Sequence, residues 1–256
     1  MGKFFIVTVI AAIPARYAAT RLPGKPLLEL AGRPLIAHVV AAALRVPSID
    51  QVLVATDHEG IAAAARLAGA EAVMTASELP SGSDRIGAAL AGREYEIAVN
   101  IQGDEPELDV ASLDALVCAM QQQPDIDIGT LSTPLVGAEL NDPNAVKVVV
   151  DGRGFALYFS RAALAADRDA LLEGVAEPSS AAHRHIGVYA YRKAALERFL
   201  LAPPSPLERF ERLEQLRALE MGMRIRVLPS STAARGIDTP NDLEAARRRL
   251  TKKVDS

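Results

Sequence analysis

The sequence contains one cysteine, Cys118, and no tryptophan. A single cysteine excludes an internal disulfide framework. Cys118 lies in an apolar segment with a helical pattern, where a small buried packing residue is more common than a nucleophile. The sequence also lacks any plausible set of Ser, His and Asp, or of Cys and His, for nucleophilic catalysis.

Long apolar runs and basic stripes are missing as well. No run approaches the roughly 18 apolar residues that a transmembrane helix requires. The N-terminal run FFIVTVIAAI is rich in β-branched residues and leads into an α/β pattern, so it predicts a buried strand and not a signal peptide. Lysine and arginine are scattered and the net charge is −4, which gives no reason to expect binding to nucleic acid or membranes. We expect a soluble, cytoplasmic protein.

Two common phosphate-binding motifs are absent from the loop after the first strand, AIPARYAATRLPGKPL (residues 12–27). It contains neither GxGxxG nor GxxxxGK[ST]. It does place Arg16, Arg21 and Lys25 among small residues, which let backbone N–H groups approach phosphate oxygens. We interpret the loop as a site for a triphosphate that loses diphosphate. The alternative is a surface loop whose cations are solvated.

Apolar strands alternate with helical patterns over the first half of the chain. Strands are predicted at 51–56, 71–75 and 97–102, and Asp57 is predicted to cap the helix after the first of these. Such strands, joined by helices, are typical of a parallel sheet covered on both faces. Later strands follow one another without full helices, which indicates an antiparallel portion, at about 126–205, inserted in a single domain that spans all 256 residues.

The segment SPLERFERLEQLRALEMG (205–222) predicts one continuous helix. Ser205 is its expected N-cap, Pro206 stands at the first helical position, and Gly222 is a stop signal. A further strand follows, and a final helix is predicted to begin near Pro240.

Acidic side chains stand at two strand-to-helix junctions. Asp104 follows the fourth strand in VNIQGDEPEL, and Asp238 precedes the final helix in ARGIDTPNDL. In open α/β sheets, ligands bind beyond the carboxyl ends of the strands, and carboxylate oxygens there are good Mg²⁺ ligands. The alternatives are an ordinary acidic turn for Asp104 and a helix N-cap for Asp238.

A series of motifs resembles one enzyme family. In chain order they are IPARYAATRLPGKPL, VATDHE, SGSDR, VNIQGDEP, DPNAVKVV, ALYFSR, RHIGVYAYR, SPLERFERLEQLR and GIDTPNDL, from about residue 10 to residue 245. Together they resemble the 3-deoxy-manno-octulosonate (Kdo) cytidylyltransferases, the CMP-Kdo synthetases of lipopolysaccharide assembly in Gram-negative bacteria. GDEP alone is a weak signal, whereas the first loop followed by LEQLR is specific.

The resemblance implies an α/β fold, with a mostly parallel, Rossmann-like nucleotidyltransferase sheet and a smaller antiparallel sheet that forms a homodimer interface. It implies the reaction of CTP with Kdo to give CMP-Kdo and diphosphate, with Mg²⁺ as cofactor. The anomeric hydroxyl of the sugar acid attacks the α-phosphate in line. This chemistry needs positioning and charge neutralisation, not a covalent protein nucleophile.

The resemblance also assigns roles to individual residues. The catalytic residues it implies are Arg16, Lys25, Asp104 and Asp238, of which the two aspartates are the metal ligands. The nucleotide-binding residues it implies are Ala15, Arg16, Lys25, Ser81, Gly82, Ser83, Arg85 and Gln102. The residues it implies for the sugar acid are Arg161, His185, Tyr189, Glu214 and Gln215. Among these, an arginine suits the sugar carboxylate and the Tyr, Glu and Gln suit its hydroxyls.

Without the resemblance, the sugar-site residues have plainer explanations. His185 is more often a structural histidine, although it shares one face of a strand with Tyr189, four residues on. Glu214 and Gln215 would lie on the solvated face of an amphipathic helix. The buried stripe of that helix would contain Leu207, Phe210, Leu213 and Leu216.

The chain departs from the family pattern at two places. Ser81-Gly82-Ser83 stands where the family usually has SGT, which keeps a hydroxyl, and the usual tryptophan after YFSRA is missing, near residue 166. Two other functions stay open. One is a cytidylyltransferase for a related sugar acid (8-amino-Kdo or a neuraminate), because one exchanged substituent alters as little as a single hydrogen bond. The other is a non-catalytic nucleotide-binding scaffold.

Overall fold

The computed structural model describes residues 8–18, 22–165, 168–172, 181–232, 236–237 and 239–254. The chain divides into two units. The first comprises Met1–Asp114 and Ala234–Ser256, and the second comprises Ala115–Ala233. The inserted portion predicted at about 126–205 falls within the second unit.

Helices and strands alternate over much of the first unit, whereas the second unit contains successive strands and successive helices. The first part of the chain contains β1 (Val9–Ala15), β2 (Glu29–Leu30), β3 (Arg33–Pro34), α1 (Leu35–Ala43), β4 (Gln51–Thr56), α2 (Glu59–Leu67), β5 (Glu71–Met74), α3 (Gly82–Leu90), β6 (Ile97–Asn100) and α4 (Val110–Gln122). The remainder contains β7 (Ile128–Pro134), β8 (Lys147–Val150), β9 (Ala156–Ser160), α5 (Arg168–Leu172), β10 (Ala182–Arg192), α6 (Lys193–Leu201), α7 (Pro206–Glu211), α8 (Glu214–Glu220), β11 (Ile225–Pro229) and α9 (Pro240–Val254). Over the described part of the chain, every helix is too short or too polar to cross a lipid bilayer.

The first unit is built on a parallel sheet with β1 at its centre. β1 pairs in parallel with β4 on one side and β6 on the other, and β4 pairs in parallel with β5. Six of the seven residues of β1 are buried, as expected of a strand covered on both faces. The short strands β2 and β3 form a separate antiparallel pair. The predicted α/β class with a mostly parallel sheet is confirmed.

The carboxyl ends of β1 and β6 are brought together by a glycine. A Cβ atom on Gly103 would lie 2.8 Å from the carbonyl oxygen of Pro14, closer than real Cβ contacts allow. Only glycine therefore lets the segment after β6 run directly beside the end of β1. As a result Asp104, the next residue, starts from the same edge of the sheet as the loop after β1.

The second unit is mainly antiparallel. β10 pairs antiparallel with β7 and β8, β8 pairs antiparallel with β9, and β11 pairs in parallel with β7. The ladder between β10 and β7 contains a bulge. Ile186 faces Leu131 and Tyr189 faces Thr130, so two residues of β10 are inserted opposite consecutive residues of β7.

The single helix predicted at 205–222 is wrong in one respect, since the structure has two helices there. Ser205 and Pro206 start α7 as expected, and the Ser205 side chain accepts a hydrogen bond from the Glu208 N–H. Arg212 then adopts a left-handed conformation (φ 53°) and ends α7, and α8 begins at Glu214. The break changes which side chains are buried, because Phe210 is 89 % exposed and Leu213 only 6 %.

Candidate active site

The loop after β1 is held by residues that follow β4. The Tyr17 N–H donates to Asp57 Oδ1 over 3.0 Å, and the Tyr17 ring stacks on the His58 ring at 4.1 Å between centroids. Asp57 was expected to cap α2. That prediction is wrong, because His58 is the cap and its Nδ1 accepts from the Gly60 N–H. Asp57 is thereby available to the first loop instead.

A glycine turn closes the same loop. The Gly24 N–H donates to the Tyr17 carbonyl oxygen over 3.0 Å, and Gly24 has a φ of 67°. A Cβ atom there would meet the Tyr17 ring at 3.3 Å, so glycine suits both the conformation and the space. The predicted triphosphate cation Arg16 lies in this loop and is exposed, whereas Ala15 is the buried last residue of β1.

Arg85 is connected to the first loop through Asp57. Its guanidinium is almost fully buried and donates to Thr75 Oγ1 over 2.6 Å and to Asp57 Oδ2 over 3.4 Å. Asp57 thus joins Arg85 to the Tyr17 backbone. In this arrangement Arg85 acts on the first loop through Asp57, and its direct contact with a nucleotide stays a prediction.

The segment 81–83 starts α3 beside the end of β1. Ser81 is the N-cap, since its Oγ accepts from the Asp84 N–H over 3.1 Å. A Cβ on Gly82 would lie 3.3 Å from the Pro14 ring, and the Ser83 side chain is buried. These predicted nucleotide residues therefore border the same strand end as the first loop.

Lys25 and Asp104 form the central ion pair of this region. Lys25 Nζ lies 2.6 Å from Asp104 Oδ2, and the two side chains are 13 % and 28 % exposed. Lys25 was predicted to bind phosphate and Asp104 to bind metal, and the structure brings the two side chains into contact. Gln102, which lies nearby in the chain, places its Nε2 3.5 Å from Asn100 Oδ1.

Of the two predicted metal ligands, the structure describes Asp104 but not Asp238. The Ile237 N–H donates to the Asp104 backbone carbonyl over 3.0 Å, so the chain before the final helix runs alongside Asp104. Asp238 itself lies outside the described residues. Among the residues that are described, no group of three or more His, Cys, Asp or Glu side chains could hold a metal ion.

In the second unit, His185 and Tyr189 lie on one face of β10, as expected. Their ring centroids are 5.4 Å apart, and the edge of the His185 ring packs against Phe159 at 5.0 Å. Burial lowers the pKa of His185 to about 3, because the charged ring would lose its hydration. His185 is therefore neutral near pH 7 and cannot pair with a carboxylate as a cation.

Arg161, the predicted partner of the sugar carboxylate, donates to three backbone carbonyls. Its Nε bonds to Glu211 (2.7 Å), and its two terminal nitrogens bond to Pro143 (2.8 Å) and Arg212 (3.3 Å). Two of these contacts satisfy carbonyls at the end of α7, where the helix breaks. A guanidinium has five N–H donors, so one N–H remains on each terminal nitrogen for a carboxylate.

Lys147 was not predicted as a site residue, and its side chain binds the backbone of Arg161. Lys147 is fully buried, and its Nζ donates to the carbonyls of Asp142 (2.9 Å), Ala145 (2.7 Å) and Arg161 (2.5 Å). Burial lowers the pKa of this amine. A lysine inside the apolar run AVKVVV was the signal, since a charge there must find buried partners.

Glu214 and Gln215 are the first two residues of α8. The alternative of a solvated helix face does not hold for Gln215, which is only 6 % exposed. Its Nε2 is buried and has no hydrogen-bond partner among the described residues. The expected buried stripe is also wrong for Leu207 and Phe210, which are both exposed, because the break at Arg212 turns α7 away from the packing of α8.

Comparisons with known proteins agree with this picture. A family model described as cytidylyltransferase matches residues 10–225. A 3-deoxy-manno-octulosonate cytidylyltransferase from Methylococcus capsulatus is 49 % identical over 249 residues, covering 94 % of this chain and 96 % of the relative. One from Bdellovibrio bacteriovorus is 44 % identical over 245 residues, covering 96 % and 98 %.

Solved structures show the same likeness. A CMP:2-keto-3-deoxy-manno-octonic acid synthetase complexed with CTP has a TM-score of 0.89 and 37 % identity, and the match covers 96 % of this chain and 99 % of that one. A cytidylyltransferase from Leptospira borgpetersenii has a TM-score of 0.63 and 19 % identity, with coverage of 96 % and 87 %, which supports the fold alone.

Proposed function

This chain belongs to the 3-deoxy-manno-octulosonate cytidylyltransferases, within the cytidylyltransferase family, and on that premise we propose the reaction that it catalyses. CTP and Kdo give CMP-Kdo and diphosphate, a step that activates the sugar acid for lipopolysaccharide synthesis. The oxygen of the anomeric hydroxyl forms a bond to the α-phosphorus. The bond from the α-phosphorus to the bridging oxygen breaks, diphosphate leaves, and the hydroxyl proton is lost.

One observation carries the proposal for the first unit. Lys25 Nζ and Asp104 Oδ2 lie 2.6 Å apart, beyond the carboxyl ends of β1 and β6, where ligands bind in sheets of this kind. A cation suited to a triphosphate and a carboxylate suited to a metal thus stand side by side. Arg16 is exposed in the adjoining loop and adds a second cation. Such groups lower the barrier when they meet the charge that grows on the leaving diphosphate.

The donor chemistry fits Mg²⁺. Asp104 offers a hard carboxylate oxygen that is partly exposed. We propose Asp104 and, from the family resemblance, Asp238 as the residues that would hold the ion. Mg²⁺ supplies charge neutralisation at the triphosphate oxygens when it is bound. If Asp104 bound the ion, the Lys25 ammonium, now 2.6 Å from Asp104 Oδ2, would be placed to contact a phosphate oxygen.

The second unit is proposed to bind the sugar acid. The Nε2 of Gln215 supports this, because it is buried and has no hydrogen-bond partner within the described part of the chain. A buried amide donor without an acceptor is costly unless a ligand supplies one. His185, Tyr189 and Glu214 are proposed to contact hydroxyls, and the remaining N–H groups of Arg161 are proposed to contact the carboxylate.

The names of the relatives favour Kdo over 8-amino-Kdo and neuraminate, and they favour an enzyme over a scaffold. A homodimer and a cytoplasmic location also belong to this proposal. Both rest on the family resemblance.

The test is diphosphate release from CTP with Kdo, 8-amino-Kdo or N-acetylneuraminate, with Mg²⁺ or with excess chelator. We expect fast turnover only with CTP, Kdo and Mg²⁺, and little with UTP. Equal rates in chelator would refute the metal assignment, and equal rates with UTP would refute the base assignment. No diphosphate release with any pair of substrates would favour the scaffold.

A further inference from the structure

Thr130, on β7, lies at the centre of a hydrogen-bond cluster that none of the roles above uses. Its hydroxyl oxygen is 2.9 Å from His185 Nε2, 2.7 Å from the Val188 carbonyl oxygen and 3.1 Å from the Ile186 carbonyl oxygen. Thr130 is completely buried, so these groups must satisfy one another.

The number of protons decides how the contacts are satisfied. A threonine hydroxyl has one proton and two lone pairs, and a carbonyl oxygen can only accept. If the hydroxyl donated to His185 Nε2, its lone pairs would face both carbonyl oxygens with no proton between them. If His185 Nε2 carries the ring proton, it donates to the hydroxyl, and the hydroxyl donates to Val188. Only this second arrangement places a proton in both of the shorter contacts.

The bulge in β10 creates this need. Val188 lies in the bulge, and Ile186 is the last residue of the ladder with β7 before it. In a regular ladder a backbone N–H would donate to this stretch of β10, and here the Thr130 hydroxyl serves as the donor. It thereby ties the backbone of the bulge to the ring of His185.

The remaining ring nitrogen is then an acceptor. His185 is neutral near pH 7, so a proton on Nε2 leaves Nδ1 with a lone pair. Nδ1 makes no hydrogen bond with the described residues, and the residue keeps 9 % of its surface exposed. The edge contact with Phe159 and the tilted contact with Tyr189 hold the plane of the ring.

We propose that Thr130 is a positioning residue, which fixes His185 as the Nε2–H tautomer and so presents Nδ1 as a hydrogen-bond acceptor to a hydroxyl of the sugar acid. The identity of the ligand rests on the proposed function. The tautomer does not, since it follows from the contacts of the protein alone.

The tautomer is measured by nitrogen-15 NMR of histidine-labelled protein, with His185 assigned from the signals that His185→Gln removes. Wild type and Thr130→Ser are expected to show the Nε2–H form alone. Thr130→Val leaves Nε2–H without an acceptor and is expected to populate the Nδ1–H form. Thr133→Val is the matched control, because Thr133 is a buried threonine on the same strand whose hydroxyl makes no hydrogen bond with the described residues.

Steady-state kinetics test the positioning role. Thr130→Val is expected to raise the KM for the sugar acid by about three- to tenfold, the scale of one hydrogen bond, and to leave the KM for CTP unchanged. Thr130→Ser and Thr133→Val should behave as wild type. A folded Thr130→Val with a shifted tautomer and an unchanged KM for the sugar acid would overturn the positioning role.

Two further outcomes keep the proposal open to refutation. An Nδ1–H form in the wild type would overturn the tautomer whatever the substrate is. If Thr130→Val does not fold, His185→Asn is compared with His185→Gln, because the Asn amide lies near the position of Nδ1 and the Gln amide near that of Nε2. A lower sugar KM in Asn supports the proposal, and equal or reversed values overturn it. Wild type that releases no diphosphate would refute the proposed function but leave the NMR result standing.

Discussion

Four buried or half-buried cations, two in each unit, differ in the kind of partner that they contact. In the first unit the cations meet carboxylates: Lys25 pairs with Asp104, and Arg85 pairs with Asp57. In the second unit they meet the backbone: Lys147 and Arg161 each donate to three main-chain carbonyls.

The difference separates exchangeable contacts from fixed ones. A carboxylate is itself a metal ligand, and a side chain can rotate away from its partner when a charged ligand arrives. A backbone carbonyl cannot leave without moving the chain, and a buried carbonyl that loses its donor costs about 1–3 kcal/mol. We therefore expect substitutions at Lys25 and Asp104 to change activity, and substitutions at Lys147 to change stability.

Asp104→Asn should have the largest effect. The amide keeps the shape of the side chain but removes the charge that we propose for the metal, so we expect kcat to fall by ~10³-fold with the fold intact. Turnover and circular dichroism measure the two parts. Asp125→Asn is the control, since this aspartate pairs with Arg224 near the surface of the second unit. More than about a third of wild-type turnover at saturating Mg²⁺ would remove Asp104 from the ligand set.

Lys25→Ala should follow closely. Its cation is proposed to meet charge that grows in the transition state, so its loss should lower kcat by ~10²-fold and should not act through KM alone. Lys193→Ala, at the start of α6, provides the comparison. A change confined to the KM for the sugar acid would show that Lys25 had been assigned to the wrong substrate.

Lys147→Met tests the contacts between a buried cation and backbone carbonyls. Methionine fills a similar volume but leaves three carbonyls without their donor, so we expect the free energy of unfolding to fall by about 2 kcal/mol or more. Urea denaturation measures the change, and Lys193→Met is a half-buried control. Unchanged stability with lost activity would place Lys147 in the catalytic machinery and break the comparison.

His185 predicts a loss of stability in acid. Its pKa is about 3 when folded and about 6.5 when unfolded, so the unfolded chain binds more protons at intermediate pH. The resulting loss of folding stability is absent above pH 6.5 and grows as the pH falls towards 3. Between pH 7 and pH 5 we expect about 2 kcal/mol from this residue alone. The free energy of unfolding should fall by that amount more in wild type than in His185→Gln between the two pH values. An equal fall in the two proteins would contradict a buried neutral ring.

Arg161→Ala should have the smallest effect on turnover and tests a residue with both kinds of contact. We expect the KM for Kdo to rise ~10-fold because a carboxylate partner is lost, with the KM for CTP nearly unchanged. Thermal stability should also fall, since three carbonyls lose their donor. A KM effect on CTP alone would contradict the sugar assignment, and unchanged stability would contradict the structural one.

The pattern of apolar and polar residues within short stretches of sequence predicted the parts of this molecule in which each strand is buried on both faces. The alternation of apolar strands and helices indicated the parallel sheet, and the three cations after β1 indicated the first loop. The first signal lies within short stretches of chain, so the sequence alone was enough to predict the sheet. The phosphate role of the cations stays a prediction, and Arg21 lies outside the described residues.

Contacts between distant residues explain what was missed. Arg212 has no local signal for a left-handed conformation, and the break between α7 and α8 depends on Arg161, about 50 residues earlier in the chain. Asp57 looked like a helix cap because its neighbour is the true cap, while its own partner is Tyr17, 40 residues away. Side-chain partners at such separations do not follow from periodicity or from capping preferences.

The bulge in β10 also limits how this strand can change in length during evolution. Side chains alternate between faces, and the bulge contains two residues, so the alternation is the same before and after it. Deleting both residues would keep His185 and Tyr189 on one face, whereas deleting only one would turn Tyr189 to the opposite face. Among homologous chains, we therefore expect insertions and deletions at this point of the strand to occur in pairs.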